Sequence, residues 1–182
     1  MTFDKLQQLF ISLTNTDEVE PTTLALWFNE AQLDLALDFG EVKDANLPSL
    51  LTLGASSLPG DLLRILDVQD GSGNSVDWEI TPQGQIAVSG SGSCTLYYRA
   101  MPSVSFDGMT MDTESALPAP LHYLLAYYAA WKFWDMESEG DTEESNHATK
   151  FLNYYRTGKA DMLAKLDFAG SSNSMVKQWM IL

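Results

Sequence analysis

The period of the apolar pattern changes twice along this chain, and the change limits the folds open to it. Apolar residues recur at helical spacing in residues 2–39 and again in residues 120–166. Between these stretches, residues 76–80 alternate apolar and polar side chains, which is typical of a half-buried strand, and residues 86–88 and 95–99 read as two more strands. The sequence therefore predicts a mainly α fold, a helix bundle with a small antiparallel β element inserted at residues 61–100.

Glycine, proline and short polar residues mark the boundaries of the predicted elements. Gly40 is a natural C-terminal stop for the second helix, and residues 70–74 (Asp-Gly-Ser-Gly-Asn) are a strong turn signal. Residues 41–60 contain two prolines and two glycines, so we expect an irregular connection there. We expect residues 1–167 to form a single domain.

The segment that follows the last predicted helix combines a polar tether with an apolar end. Residues 168–182 are expected to form an extended C-terminal arm, in which a Gly/Ser/Asn-rich stretch precedes the apolar residues. These are Met175, Val176, Trp179, Met180, Ile181 and Leu182. The arm is shorter than the about 20 apolar residues that span a bilayer. We expect it to fold back on its own domain or to bind a partner, which favours assembly over catalysis.

The charge of the chain excludes several classes of function. Its 182 residues carry a net charge of −15, from 25 acidic and 10 basic side chains. This argues against nucleic-acid binding by phosphate neutralisation and against anionic membrane surfaces. An acidic surface has the same sign of charge as DNA, so DNA can pass it without adhering. The N-terminal residues lack the pattern of a signal peptide, so we expect a soluble chain that is intracellular when synthesised.

The residues that commonly carry chemistry do not form a recognisable site. The acidic run at residues 135–144 could bind calcium but lacks an EF-hand frame, and a solvated turn is the preferred interpretation. His122 and His147 are expected at opposite ends of two antiparallel helices. Cys94, the only cysteine, has no neighbour in sequence that would activate its thiol. We therefore expect no catalytic residue, no metal and no cofactor.

The helix predicted at residues 120–136 is apolar nearly all round, which indicates burial on more than one side. Its aromatic residues could line a ligand pocket, pack in the core or form an interface. In a chain of this size one side of the helix is open to another subunit. We predict Tyr123, Tyr127 and Trp134 as subunit-interface residues.

The order of several segments resembles the head-to-tail adaptor, or connector, proteins of tailed bacteriophages. The resemblance covers most of residues 20–170, and its motifs are patterns of packing residues rather than a catalytic signature. The segments that carry it are Trp-Phe-Asn-Glu-Ala-Gln at residues 27–32, Leu-Pro-Gly-Asp-Leu-Leu-Arg-Ile-Leu-Asp-Val at 58–68, Leu-Tyr-Tyr-Arg-Ala-Met-Pro at 96–102, and Leu-Pro-Ala-Pro-Leu-His-Tyr-Leu-Leu-Ala-Tyr-Tyr-Ala-Ala-Trp at 117–131.

The resemblance implies a structural virion protein and not an enzyme. Such a protein forms a ring of about a dozen copies beneath the portal, extends the DNA channel and offers a surface to tail or nozzle proteins. DNA passes through without specific binding, and no membrane is involved. The arm at residues 168–182 would reach the portal protein. The expected location is the neck of the virion, after assembly in the host cytoplasm.

Two other functions remain open from the residues alone. A small phage-associated hydrolase would need a paired acid and carboxylate in a cleft, and Glu30 with Asp34, four residues apart on one helix, is the nearest candidate pair. A solvated helix face explains these two residues equally well. The other alternative is a bacterial protein-binding module whose C-terminal segment recruits a partner.

Overall fold

The computed structural model describes residues 1–47, 55–89, 92–108, 110–138 and 142–170, which form an α+β fold. Of these residues 49% are helical and 22% lie in strands, so the prediction of a mainly α helix bundle is wrong. The helices are α1 (Phe3–Thr14), α2 (Pro21–Phe39), α3 (His122–Glu137) and α4 (Thr142–Gly170). The strands are β1 (Val42–Leu47), β2 (Ser56–Ser57), β3 (Leu62–Gln69), β4 (Trp78–Ile80), β5 (Gln85–Val88) and β6 (Cys94–Ala100).

The prediction fails because the strands begin earlier in the chain than the alternating pattern indicates. β1 and β2 lie before residue 61, where prolines and glycines predict an irregular connection. β1 reads Val-Lys-Asp-Ala-Asn-Leu and has little apolar alternation of its own. It becomes a strand by antiparallel pairing with β6, from Val42 opposite Arg99 to Leu47 opposite Cys94. A pairing partner far along the chain therefore decides its conformation, and local propensity does not.

The chain divides into two compact units. One contains Met1–Asp38 together with the chain from Pro102 onward, and the other is Phe39–Met101. The second unit includes the predicted insertion at residues 61–100. The interpretation of residues 1–167 as one domain stays a prediction.

In the helical unit, α1 and α2 contribute aromatic side chains to a common core. α1 begins after Thr2, whose Oγ1 accepts a hydrogen bond from the Lys5 amide, and ends at Asn15 in the left-handed conformation. Phe3 meets Phe28 of α2 edge to face, with ring centroids 5.6 Å apart. Such buried aromatic pairs contribute roughly 0.5–1.5 kcal/mol beyond the area they bury.

The long helices α3 and α4 run antiparallel and pack side by side. A short 3-10 helix, Ala119–Leu121, leads into α3, as the prolines at 118 and 120 predict. Near the end of α3, Trp134 stacks on His147 of α4, with ring centroids 4.8 Å apart. Nearly two turns earlier in α3, Tyr128 contacts Tyr155 of α4, with ring centroids 5.2 Å apart. Within the described residues, no helix is both long and apolar enough to cross a membrane.

The β unit consists of two three-stranded antiparallel sheets, in the orders β1-β6-β3 and β2-β5-β4. The strand predicted at residues 95–99 is confirmed as the central strand β6, in which alternate residues are buried. The predicted turn at residues 70–74 is confirmed, because Asp70 Oδ1 accepts hydrogen bonds from the amides of Ser72 (2.8 Å) and Asn74 (2.9 Å). The core of this unit is formed by Leu47, Val68, Ile86, Cys94, Leu96, Tyr98 and Ala100.

Candidate functional site

Three carboxylates follow one another along α2 at intervals of four residues, which places them on one side of the helix. They are Glu30, Asp34 and Asp38, and we call them the acidic row. Lys159 of α4 lies 2.9 Å from Asp34 Oδ2 and 3.1 Å from Asp38 Oδ2 through its Nζ. Lys132 of α3 lies 3.0 Å from Glu30 Oε2. The acidic row therefore connects α2 to both of the long helices.

Two tyrosine hydroxyls complete the contacts of the acidic row. Tyr128 donates a hydrogen bond of 3.2 Å to Glu30 Oε2, and Tyr155 donates one to Asp34 Oδ2. Burial, reinforced by the hydrogen bond to Asp34, raises the pKa of Tyr155 above its usual range. Tyr155 is therefore neutral at physiological pH and acts as a fixed hydrogen-bond donor.

The two lysines of this network stay protonated. For Lys159, burial lowers the pKa, but hydrogen bonds to Asp34 and Asp38 outweigh burial and raise it. The hydrogen bond to Glu30 raises the pKa of Lys132. A charged ammonium cannot accept a proton, so these lysines can hold a carboxylate in place but cannot act as general bases.

The predicted carboxylate pair of a hydrolase, Glu30 and Asp34, thus lies within a network that satisfies both groups. Each carboxylate accepts a tyrosine hydroxyl and an ammonium group. A glycosidase needs one carboxyl that carries a proton and one that faces the substrate. The contacts of Glu30 and Asp34 favour a role in holding the helices together.

Two side-chain amides of the Trp-Phe-Asn-Glu-Ala-Gln segment form hydrogen bonds with the connection that precedes α3. Gln32 is only 2% exposed. Its Nε2 donates to the Val104 carbonyl, and its Oε1 accepts from Ser115 Oγ (2.6 Å) and from the amide of Ala116 (3.2 Å). Asn29 Oδ1 similarly accepts from the Phe106 amide at 2.7 Å. These two side chains therefore supply hydrogen bonds to backbone that has no regular secondary structure.

The two histidines lie apart, as predicted. His122 is buried at the start of α3, where its Nε2 lies 2.6 Å from the Leu117 carbonyl oxygen, and burial lowers its pKa. His147 packs against Trp134 near the other end of α3. In the described part of the chain, no group of three or more His, Cys, Asp or Glu side chains is arranged to hold a metal ion.

The predicted subunit-interface residues Tyr123, Tyr127 and Trp134 are half-buried on the side of α3 that meets α4. Tyr127 contacts Tyr154 with ring centroids 5.6 Å apart, and Trp134 stacks on His147. Part of each aromatic surface is thus covered within the chain. Their role between subunits stays a prediction.

Among the described residues of the helical unit, α2 exposes leucine side chains. Leu26 is 53% exposed and Leu33 is 43% exposed. Leu37, one turn after Leu33, is half-buried. We call Leu26, Leu33 and Leu37 the leucine seam. With Glu30 the positions run 26, 30, 33 and 37, the alternating spacing of four and three by which helices pack on one another. The sequence contains a signal for this surface, because these three leucines form a second apolar stripe beside that of Leu24, Phe28 and Leu35.

The residues predicted to bind the portal, Met175, Val176, Trp179, Met180, Ile181 and Leu182, lie outside the described residues. So does most of the predicted arm, although its first residues, 168–170, belong to α4.

Comparison with known proteins adds no assignment. No protein-family model matches the chain, and no curated protein matches it.

Proposed function

We propose that this chain is a structural subunit of the head-to-tail connector of a tailed bacteriophage. In this proposal a ring of about a dozen copies joins the portal to tail or nozzle proteins and continues the DNA channel. The chain has no enzymatic role, and DNA passes through the channel without specific binding. It is located in the neck of the virion after assembly in the host cytoplasm.

The observation that carries the proposal is the leucine seam. Exposed leucines at helix-packing spacing are typical of a surface that another protein element covers. A ring subunit must bury such surfaces against its neighbours or against the rings above and below it.

Two further observations support the proposal. The net charge of −15 suits a channel through which DNA slides, because like charge prevents adhesion. The apolar end at residues 175–182 supplies a second binding element, which we assign to the portal.

The experiment is a mass measurement of the purified full-length chain, alone and after mixing with the portal protein of the same virus. The proposal expects rings, either spontaneously or on the portal, and expects the chain in purified virions. A chain that remains a monomer with the portal and is absent from virions would refute it. Release of sugar from peptidoglycan by such a monomer would identify the hydrolase instead.

A control variant separates assembly from folding. Leu26→Ser with Leu33→Ser changes exposed side chains only, so the free energy of unfolding should change by less than about 1 kcal/mol in total. Met111→Ser with Met136→Ser, which likewise changes two exposed apolar side chains of the helical unit, is the matched control. If the proposal is correct, the seam variant fails to form rings and the control forms them.

A further inference from the structure

The strand β4 lies at one edge of the sheet β2-β5-β4, and among the described strands only β5 pairs with it. All three of its residues are exposed. An edge strand of this kind presents backbone amides and carbonyls with which an extended segment can pair. We call the side of β4 away from β5 the β4 edge. We propose that an extended segment of another protein, alternately apolar and basic, adds a fourth strand to the sheet at the β4 edge.

The hydrogen bonds that flank β4 show which of its backbone groups face the β4 edge. The Asp77 carbonyl accepts a hydrogen bond of 2.8 Å from the amide of the residue after β5, and the Thr81 amide donates one of 2.8 Å to the first residue of β5. Backbone groups along a strand alternate in direction, so those of Glu79 also point to β5. The N–H and C=O groups of Trp78 and Ile80 therefore point away from β5, to the β4 edge.

The apolar side chains of β4 lie on the core face of the sheet. Trp78 stands opposite Val88 and Ile80 opposite Ile86, and residues that stand opposite one another share a face. Ile86 is fully buried in the core of the β unit, and Val88 packs against that core. Trp78 is nevertheless 41% exposed and Ile80 is 46% exposed. The apolar face thus continues past β5 and ends uncovered at β4, where the apolar side chains of an added strand would cover it.

The opposite face of β4 carries negative charge. Asp77 and Glu79 are two residues apart, so they share this face, and both are exposed. Neither carboxylate forms an ion pair with a residue in the described part of the chain. Every second side chain of an added strand would lie beside these carboxylates, and opposite charges on neighbouring strands stabilise the pairing. The segment that fits is therefore basic on this face and apolar on the other.

Charge disfavours a second copy of β4 as the occupant. Two β4 strands that pair antiparallel through their outward groups place Glu79 opposite either Glu79 or Asp77 of the other copy. Like charges directly opposite one another destabilise a strand pair. The inference does not rest on the proposed function, since a chain that forms no ring can still bind a strand at the β4 edge. Failure of the experiments below leaves the ring experiment unaffected.

A synthetic peptide with the sequence Thr-Lys-Val-Lys-Val-Lys-Thr is the probe. It carries a fluorescent label, and its binding to the full-length chain is followed by fluorescence anisotropy. Paired antiparallel, its two valines stand opposite Trp78 and Ile80, and its central lysine stands opposite Glu79. We expect it to bind several-fold more tightly than the same peptide with glutamate at the three lysine positions. Equal or tighter binding of the glutamate peptide would refute the proposal.

Two N-methylated forms of the lysine peptide separate strand pairing from attraction to the acidic chain, because their charge is the same. Residues opposite Trp78 and Ile80 point their N–H groups at β4, and their neighbours point theirs away. Methyl groups on the two valine nitrogens therefore block pairing, whereas methyl groups on the two outer lysine nitrogens do not. We expect the first form to bind at least about tenfold more weakly than the second. Equal affinities would overturn the proposal.

A pair of variants at Ile80 tests the same hydrogen bonds from the side of the protein. Ile80→Pro removes an outward N–H and keeps the bonds to β5, a position where an edge strand tolerates proline. Ile80→Ala keeps the N–H and loses more of the side chain. We expect the proline variant to bind the lysine peptide at least about fivefold more weakly than the alanine variant.

Equal affinities of the two Ile80 variants would contradict the inference. A loss of self-association in Ile80→Pro alone, measured as the mass of the chain in solution, would show that a second copy occupies the β4 edge and would also overturn it. Circular dichroism checks that both variants are folded. If the proline variant does not fold, the methylated peptides decide the question on the unaltered chain.

Discussion

Gly158, in the middle of α4, should resist replacement by alanine although helix propensity favours the change. Alanine is more favourable than glycine in a helix interior by about 1 kcal/mol. A Cβ added at Gly158, however, would lie 2.5 Å from Leu124 Cδ2 and 3.3 Å from the Tyr123 hydroxyl oxygen. Carbon atoms in good contact are about 3.5–4.0 Å apart, so Leu124 would have to move by about 1 Å.

The size of the effect follows from the burial of Leu124. Its side chain has no exposed surface and lies among other fully buried residues of α3, so it has no free space to enter. Inserting a methyl group into a packed core of this kind costs about 1–3 kcal/mol. After subtraction of the about 1 kcal/mol gained in propensity, we expect Gly158→Ala to lower the free energy of unfolding by about 1 kcal/mol.

Urea unfolding followed by far-ultraviolet circular dichroism measures this change. Thr157→Ala, at the exposed neighbouring position, is the control and should stabilise the chain by up to about 0.5 kcal/mol. In a Leu124→Val background, which lacks Cδ2, Gly158→Ala should become stabilising by about 1 kcal/mol. The reasoning is refuted if Gly158→Ala stabilises the unaltered chain as much as it stabilises the Leu124→Val chain.

Three further substitutions test other parts of the helical unit. Gln32→Leu should lower the free energy of unfolding by about 2–3 kcal/mol, because the Val104 carbonyl and the groups at 115–116 lose their partner inside the protein. His122→Gln should remove part of the acid sensitivity of the chain. Burial lowers the pKa of His122 in the folded state, so below its ordinary pKa of 6.5 the unfolded chain binds a proton that the folded chain does not, and stability falls as the pH falls. Lys159→Met should lower the free energy of unfolding by about 1 kcal/mol, and by less at high salt, because it removes the partly exposed ion pairs with the acidic row.

Urea titrations measure all three. Gln32→Glu is a useful comparison, since it keeps one acceptor but loses the donor to Val104, and it should also be destabilising. For His122→Gln, the difference in stability between pH 7.5 and pH 5.5 is compared with that of the unaltered chain and should be smaller. A difference of the same size in the two chains would contradict the argument. A loss at Lys159 that does not change with salt would contradict an electrostatic origin.

Local patterns in the sequence predict the parts of the fold that are decided locally. The strand at residues 95–99, the turn at Asp70 and the start of α3 after two prolines are all present as predicted. β1 is not predictable in this way, because its partner residues lie in β6 and its own sequence is mostly polar. A prediction of fold class from periodicity alone therefore underestimates the number of residues in strands.

The candidate site shows the same limit. The second apolar stripe of α2 is visible in the sequence, but its exposure depends on which helix faces the core, and the aromatic face of α3 looks like the better interface. The contact between Asp34 and Tyr155 joins residues 121 positions apart, and no local signal connects them. From the sequence, Gly158 is only a residue that weakens a helix. The structure shows that Leu124 leaves no room for a Cβ at this position.

The core face, the acidic row and the leucine seam lie on different sides of α2. The leucine seam can therefore be substituted without loss of the fold. Leu24, Phe28 and Leu35 are fully buried in the core, and the acidic row ties the helix to α3 and α4. The leucine seam contributes little to either task, because exposed side chains gain little from folding. Substitutions there should therefore leave the free energy of unfolding nearly unchanged, and any loss of assembly can be assigned to the lost contact. A seam substitution that unfolds the chain would show instead that these leucines belong to the core.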